Sequence, residues 1–408
     1  MENKRKSSFK IVFMEKNKST QKVLELNGRK FILIGTAHVS KASISEVENA
    51  IEDQKPDSVA IELDENRLKN MEDKESWKKM DIIEILKKKQ GFLLLANIVL
   101  SAYQKRMGED AGIKPGDEMA AAIKKAKELG IPQIMVDRPV TVTLRRAWAK
   151  NSFMGKCKLL SLLIATAFSK EEVSETEIEN LKQSSEMDTM MQELSSYLPA
   201  VKEVLIDERD FYLASKIWSC PQKNILAVLG AGHLPGVSSH LEKIAAGKEI
   251  PDVSAIEKVP EKSAGAKVAS WIIPILILGL IVTGFVVGGI EKGADLIGSW
   301  VWWNGILAAI GAAVAGGHIL AILVSAVGAP FTSLCPFIGI GFVSGIVQAL
   351  VKKPAVEDME NLQADASSVK GFYKNRILRV LLVFFLSSVG SSIGTFVGGA
   401  TFISIFTR

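Results

Sequence analysis

The chain has 408 residues, of which 48% are hydrophobic, with 50 Lys and Arg against 45 Asp and Glu and a net charge of +5. Residues 1–267 hold 42 Lys/Arg and 39 Asp/Glu, whereas residues 268–408 hold 8 and 6, together with 19 of the 32 glycines. This split excludes a wholly soluble protein and a disordered one, the balanced charge gives no basic face for nucleic acid, and the scattered Cys157, Cys220 and Cys335 build neither a zinc ribbon nor a disulfide framework.

Along the chain, residues 21–36 (QKVLELNGRKFILIGT) read as two strands joined by an Asn27-Gly28 hairpin turn, the second ending in Gly35-Thr36-Ala37-His38. A helix follows near 41–54, then a strand at Ser58–Leu63, helices over 66–107 and 117–129, and a short strand at Gln133–Val136 leading into Asp137-Arg138-Pro139. Helical patterns dominate 140–219. A last strand, Asn224–Leu229, ends in Gly230-Ala231-Gly232-His233, and Pro235 suits the first turn of a helix. Strands alternating with helices predict an α/β domain with a largely parallel sheet over residues 1–246.

Residues 247–267, with two prolines and scattered charge, read as a linker. Membrane spans are expected near 268–290, 297–316 and 377–406, with a broken segment at 318–351 interrupted by Pro330 and Pro336. Five Lys lie in 241–267, five Lys/Arg in 351–376 and one in 291–296, which predicts that 1–267 and 352–376 share the cytosolic side. The basic N-terminus has no apolar stretch of signal-peptide length behind it, in keeping with that side. Parity then requires 318–351 to leave and return on one side, and it puts Trp300, Trp302 and Trp303 near the outer interface. Small residues at spacing four (Gly284 and Gly288; Gly341 and Gly345; Gly390, Gly394 and Gly398) suit close helix packing, either within one bundle or between two copies.

The chemistry-bearing residues fall at carboxyl ends of strands, where open α/β sheets bind ligands: His38, Glu62, Asp137 with Arg138, and His233. Two of the four histidines repeat one motif, Gly35-x-x-His38 and Gly230-x-x-His233, and glycine permits the tight turn that lifts a side chain over the sheet edge. In the helix 199–218, Glu208 falls on an apolar stripe through Val201, Val204, Leu205, Phe211, Tyr212 and Trp218, so it requires a cationic partner: a metal, Arg209 or Arg138. Asp207 and Asp210 are read as solvated. Arg145-Arg146 beside Trp148 is either an anion site or a solvated helix face, and His240 and His318 are incidental. His with carboxylate is a ligand set for a divalent ion that polarises a carbonyl and acidifies water. The HExxH, GxxxxGK[ST] and GxSxG motifs are absent, which removes that zinc-protease class, P-loop ATP chemistry and the serine-hydrolase elbow.

Together the segments IGTAHVS (34–40), VAIELDENR (59–67), VDRPVTVTLRRAW (136–148), VLIDERDFYLASKI (204–217) and LGAGHLPGV (229–237) resemble the TraB/PrgY family of the wider TraB–Tiki–GumN group. The membrane part, SLCPFIGIGFVSGIVQALVKKP (333–354) and SSVGSSIGTF (387–396), is similar to its prokaryotic members. The resemblance implies an EreA/ChaN-like α/β domain and, from the Tiki branch, a metal-dependent peptidase using manganese or cobalt, with zinc a further candidate. Matching motifs would place the metal on His38, His233 and Glu62, catalysis on Glu62, Glu208 and Arg209, and substrate contacts on Arg67, Arg138 and Arg145. Position 210 departs from the pattern: an Asn often follows the motif Arg in GumN and Tiki sequences, and here it is Asp210. Three functions follow: a membrane-anchored metallopeptidase acting on a signalling peptide, a peptide-sequestering protein that shuts signalling down, or a membrane sensor module.

Overall fold

The computed structural model describes residues 21–36, 41–72, 81–109, 116–152, 154–156, 158–159, 161–162, 195–261, 264–335 and 337–407. Among these, two compact units form, one from 21–72, 103–162 and 195–260 and the other from 81–102 and 264–407.

The first unit starts with the hairpin β1 (Gln21–Leu26) and β2 (Arg29–Thr36), paired antiparallel with Leu26 opposite Arg29. Asn27 and Gly28 both take positive φ, 50° and 75°, the conformation that matches the twist of the flanking strands. Helix α1 (Lys41–Gln54) leads to β3 (Ser58–Ile61) and helix α2 (Glu65–Glu72); after helix α5 (Asp117–Glu128) come β4 (Gln133–Met135) and helix α6 (Val140–Lys150). The last strand, β5 (Asn224–Gly230), inserts between β2 and β3, giving the order β1-β2-β5-β3-β4 with every pair after the first parallel. A parallel sheet must be covered on both faces, and the alternation of side chains achieves this. Ile32, Ile34, Val59, Ile61, Leu226 and Val228 pack with Val47 and Ile51 of α1 and Met119 and Ala122 of α5. Phe31, Leu33, Ala60, Ala227 and Leu229 pack on the other face against Leu213 and Ile217 of α7 (Glu208–Ser219) and Val237 and Leu241 of α8 (Leu234–Ala245). The predicted mixed, largely parallel α/β sheet is thus present.

One local departure matters below. The helix expected to run unbroken over 199–218 contains a π-helical turn, Glu203–Asp207, immediately before α7. The wider turn shifts the phase of every later side chain relative to a regular helix.

In the second unit, helices α3 (Ile82–Lys87) and the first half of α4 (Gly91–Glu109) pack with the helical C-terminal region, although they precede residue 246: Leu86, Ile98 and Val99 share a core with Ala349, Phe372, Leu381 and Phe384. Among the described residues, two helices are long and apolar enough to cross a membrane, Ile272–Val314 and Arg376–Phe402, while Ile319–Thr332 and Ile340–Val351 are shorter. The first is broken at Gly289, where φ is 73° and ψ −171°. There the chain folds back: a Cβ at Gly284 would lie 3.6 Å from the Cα of Gly293, whereas nine residues of straight helix span about 13 Å. Tyr373 Oη donates to the Val314 carbonyl (2.9 Å) and Gln348 Oε1 accepts from the His318 amide (2.7 Å), so the 314–318 connection and the segment before Arg376 meet at one end of this unit. The glycine lines lie against neighbouring helices of the same chain: Gly390 on Leu307, Gly394 on Trp303 and Gly341 on Phe384. Trp300 is 3% exposed and donates through Nε1 to the Pro330 carbonyl (3.1 Å), so of the three tryptophans read as interfacial it is internal, while Trp302 is exposed.

Candidate functional site

Because β2, β5, β3 and β4 are parallel and adjacent in that order, their carboxyl ends form one rim. His233 follows β5 in a short 3-10 turn, Glu62 follows β3, and Asp137 follows β4. His38, after β2, lies outside the described residues. Gly35 pairs with Leu229, and a Cβ there would overlap Leu234, so the glycine lets the turn after β5 close on β2.

Helix α7 supplies the other half of the site. Arg209 Nη2 lies 2.6 Å from Glu62 Oε1 and 2.8 Å from Asp137 Oδ2, and its Nε donates to Asp137 Oδ1 at 3.2 Å. Burial opposes the guanidinium charge, but Asp137 and Glu62 outweigh it and raise the Arg209 pKa. Glu62 Oε2 accepts the Gly230 amide at 2.6 Å, so the motif glycine fixes the carboxylate by its backbone. His233 Nε2 stands 3.6 Å from Glu62 Oε1, and its Nδ1 is 2.6 Å from Asp210 Oδ1. Glu62, Asp210 and His233 are each 6% exposed or less. An ionised carboxylate only accepts, so the bond to Asp210 places a hydrogen on Nδ1, and Nε2 is the ring nitrogen turned toward Glu62. Burial pushes the Asp210 carboxyl up, against the pull of His233.

Asp210 is therefore not the solvated residue that a regular helix implied. Its approach to His233 needs Gly236 on α8, where a Cβ would overlap the Asp210 carboxylate. Asp207, by contrast, is exposed and pairs with Lys202.

Glu208 lies in a different cluster. Its carboxylate receives Arg138 Nη1 (2.8 Å), Arg146 Nε (2.8 Å) and Nη2 (2.7 Å), and Lys150 Nζ (2.8 Å). Burial alone would raise its pKa; the hydrogen bonds from Arg146, Lys150 and Arg138 prevail and hold it at about 2. Of the partners expected for Glu208, Arg138 is present and Arg209 is not. Arg138 is 1% exposed, with Nε on Thr143 Oγ1 (3.0 Å) and Nη2 on the Val204 carbonyl (3.1 Å), which places it inside the domain. Arg67 and Arg145 are both exposed, while the neighbouring Arg146 is buried.

No group of three or more His, Cys, Asp or Glu disposed to hold a metal occurs among the described residues. The two expected ligands that are described nevertheless suit a cation: bonds of about 2.0–2.2 Å to a nitrogen and an oxygen are compatible with the 3.6 Å between His233 Nε2 and Glu62 Oε1. Arg209 on the same oxygen competes with such an ion.

Residues 21–248 match the TraB/PrgY/gumN family and residues 265–407 match the C-terminal domain of TraB family proteins. The chain is 32% identical over 371 residues to the uncharacterized protein MJ1365 of Methanocaldococcus jannaschii, covering 89% of this chain and 92% of the relative. It is 26% identical over 295 residues to the human TraB domain-containing protein, covering 64% and 74%, and 26% identical over 291 residues to the mouse protein of that name, with the same shares.

Proposed function

The chain belongs to the TraB/PrgY/gumN family, and on that premise we propose that it is a membrane-anchored hydrolase that cleaves an amide bond of a peptide at the sheet rim with a divalent cation, manganese or cobalt first. The observation that carries this reading is the buried Asp210–His233 hydrogen bond, which turns the other imidazole nitrogen toward a carboxylate at 3.6 Å. His233 and Glu62 would hold the cation, with His38 as the expected third ligand. Such an ion, when bound, polarises a carbonyl and acidifies water. The chain's own residues do the rest. Asp210 fixes the imidazole tautomer, the Gly230 amide fixes Glu62, and Arg209 carries positive charge to the place where a tetrahedral oxyanion would form. Peptide sequestration without cleavage is a second reading, favoured by Arg209 already spanning Glu62 and Asp137.

The two apolar helices support anchoring, and the meeting of residue 314 with the segment before Arg376 is compatible with the 314–318 and 352–376 connections lying on one side, read as cytosolic from the Lys/Arg bias. Metal content and peptide cleavage, measured on the detergent-solubilised full chain and on His38→Ala and His233→Ala variants, test the proposal. Both variants are expected to lose bound manganese or cobalt and turnover while keeping the wild-type melting curve. Undiminished metal in the double variant rejects the metal site, and metal binding without any peptide cleavage favours sequestration.

A further inference from the structure

The segment read as a linker is docked in its first part. Val253 O accepts the amides of Ile256 (2.9 Å) and Glu257 (3.0 Å), making a turn at 253–257. Arg138 Nη1 donates to the Ile256 carbonyl (2.9 Å), and Arg146 Nη1 donates to the carbonyls of Ala255 (3.0 Å) and Lys258. Glu257 Oε1 meets Lys216 Nζ at 3.1 Å and Tyr212 Oη at 3.4 Å. Both guanidiniums are almost fully buried and are the same two that hold Glu208.

The charge pairs are crossed between two stretches of backbone. Asp137 and Arg138 are consecutive, and so are Glu208 and Arg209. Asp137 pairs with Arg209 at the rim, while Arg138 pairs with Glu208 under the strap. Consecutive Cα atoms are about 3.8 Å apart, so a backbone shift at Arg138 or Glu208 carries its rim neighbour, Asp137 or Arg209, with it. Removing the strap would also leave buried guanidinium donors without their carbonyl acceptors, which drives those side chains to new partners.

We propose that residues 253–258 are a latch: while docked, they hold Arg138, Arg146 and Glu208 in place and thereby set the position of Asp137 and Arg209 at the rim. The apolar helix Ile272–Val314 begins 14 residues after Lys258, so tension on that covalent connection is a natural input to the latch. The inference needs no particular chemistry at the rim and survives if the proposed hydrolase activity fails.

The test is hydrogen–deuterium exchange on the full chain in nanodiscs. The variant is the double substitution Ile256→Lys and Glu257→Lys, which reverses the charge that meets Lys216 and adds a second cation to the turn whose carbonyls receive Arg138 and Arg146. Exchange should rise about tenfold or more in peptides covering 253–258 and also in those covering 135–139 and 204–212, with β2 and β5 as unchanged references. Faster exchange confined to 253–258 would show a passive cover and overturn the latch. Wild-type protection of 253–258 in the double variant would overturn it too, since the contacts named would not be what holds the strap.

Discussion

Replacing Glu208 by Gln removes one negative charge from the centre of three cations while preserving shape. The amide oxygen can still accept from one side, but its NH2 group is driven against the donors of an arginine or of Lys150. Breaking a buried pair in this way costs about 3–5 kcal/mol. The depressed pKa that these contacts produce corresponds to a similar figure. The Glu208 pKa is lowered from 4.5 to about 2, and each unit corresponds to about 1.4 kcal/mol, or about 3 kcal/mol in all. Because the folded pKa is depressed, this stability is fully present above pH 4.5 and is lost as pH falls toward 2. At about 2–4 °C per kcal/mol for a domain of this size, Glu208→Gln should melt roughly 10 °C earlier at pH 7. The difference from wild type should shrink as the pH is taken down through that window. Thermal unfolding of the two full chains in detergent, followed by tryptophan fluorescence with and without manganese, measures this. An unshifted melting curve would refute the structural role, and loss of metal affinity at an unchanged melting temperature would return Glu208 to the reaction site.

Gly236→Ala should misplace Asp210 and lower the melting temperature, because the new methyl overlaps the Asp210 carboxylate; a stable variant with unchanged His233 imidazole nitrogen shifts by NMR would contradict the tight approach. Asp210→Asn retains an acceptor for His233 Nδ1–H and is expected to keep the tautomer, whereas Asp210→Leu should lose it, read as the 15N shift of Nε2. Gly390→Leu should destabilise the helical unit by about 2 kcal/mol or more, since its Cβ overlaps the Leu307 backbone; normal melting of that variant would deny the packing described. For orientation, a cysteine at the exposed Ile290 should react with an impermeant thiol reagent added to whole cells and one at Glu360 should not, and the reverse pattern would invert the topology.

Much of the rim was legible because each strand ends abruptly in a residue that has no reason to be in a sheet core. Glu62, Asp137 and His233 stood out in that way, and the parallel order places their strands side by side. The insertion of β5 between β2 and β3 was not legible, since nothing local in Asn224–Gly230 records its neighbours. Glu208 was recognised as needing a cation from a 3.6-residue stripe. Arg145-Arg146 was read as an anion site or a solvated helix face, and Arg146 was not read as a partner of Glu208, even though Thr143, Arg146, Ala147 and Lys150 repeat that same spacing along α6, and Thr143, Arg146 and Ala147 are its buried face. Asp210 was misjudged because the stripe was drawn through Val204, Leu205, Phe211 and Tyr212; after the π turn at Glu203–Asp207 shifts the phase, the buried face of α7 runs through Asp210, Leu213, Ala214 and Ile217 at the same 3.6-residue spacing.

The place of β5 also bears on how the domain is born. Until Asn224–Gly230 leaves the ribosome, β2 and β3 have no common partner, and each presents an unpaired edge composed mainly of residues that the folded domain buries. At about 5–20 residues per second, roughly 10–30 s pass between synthesis of β3 and of β5. During that interval the nascent chain holds a hairpin, β3 and the short β4, but no closed sheet and no rim. A chain truncated before residue 224 is therefore expected to aggregate rather than fold to a smaller domain, and a chaperone that shields strand edges would act in that window.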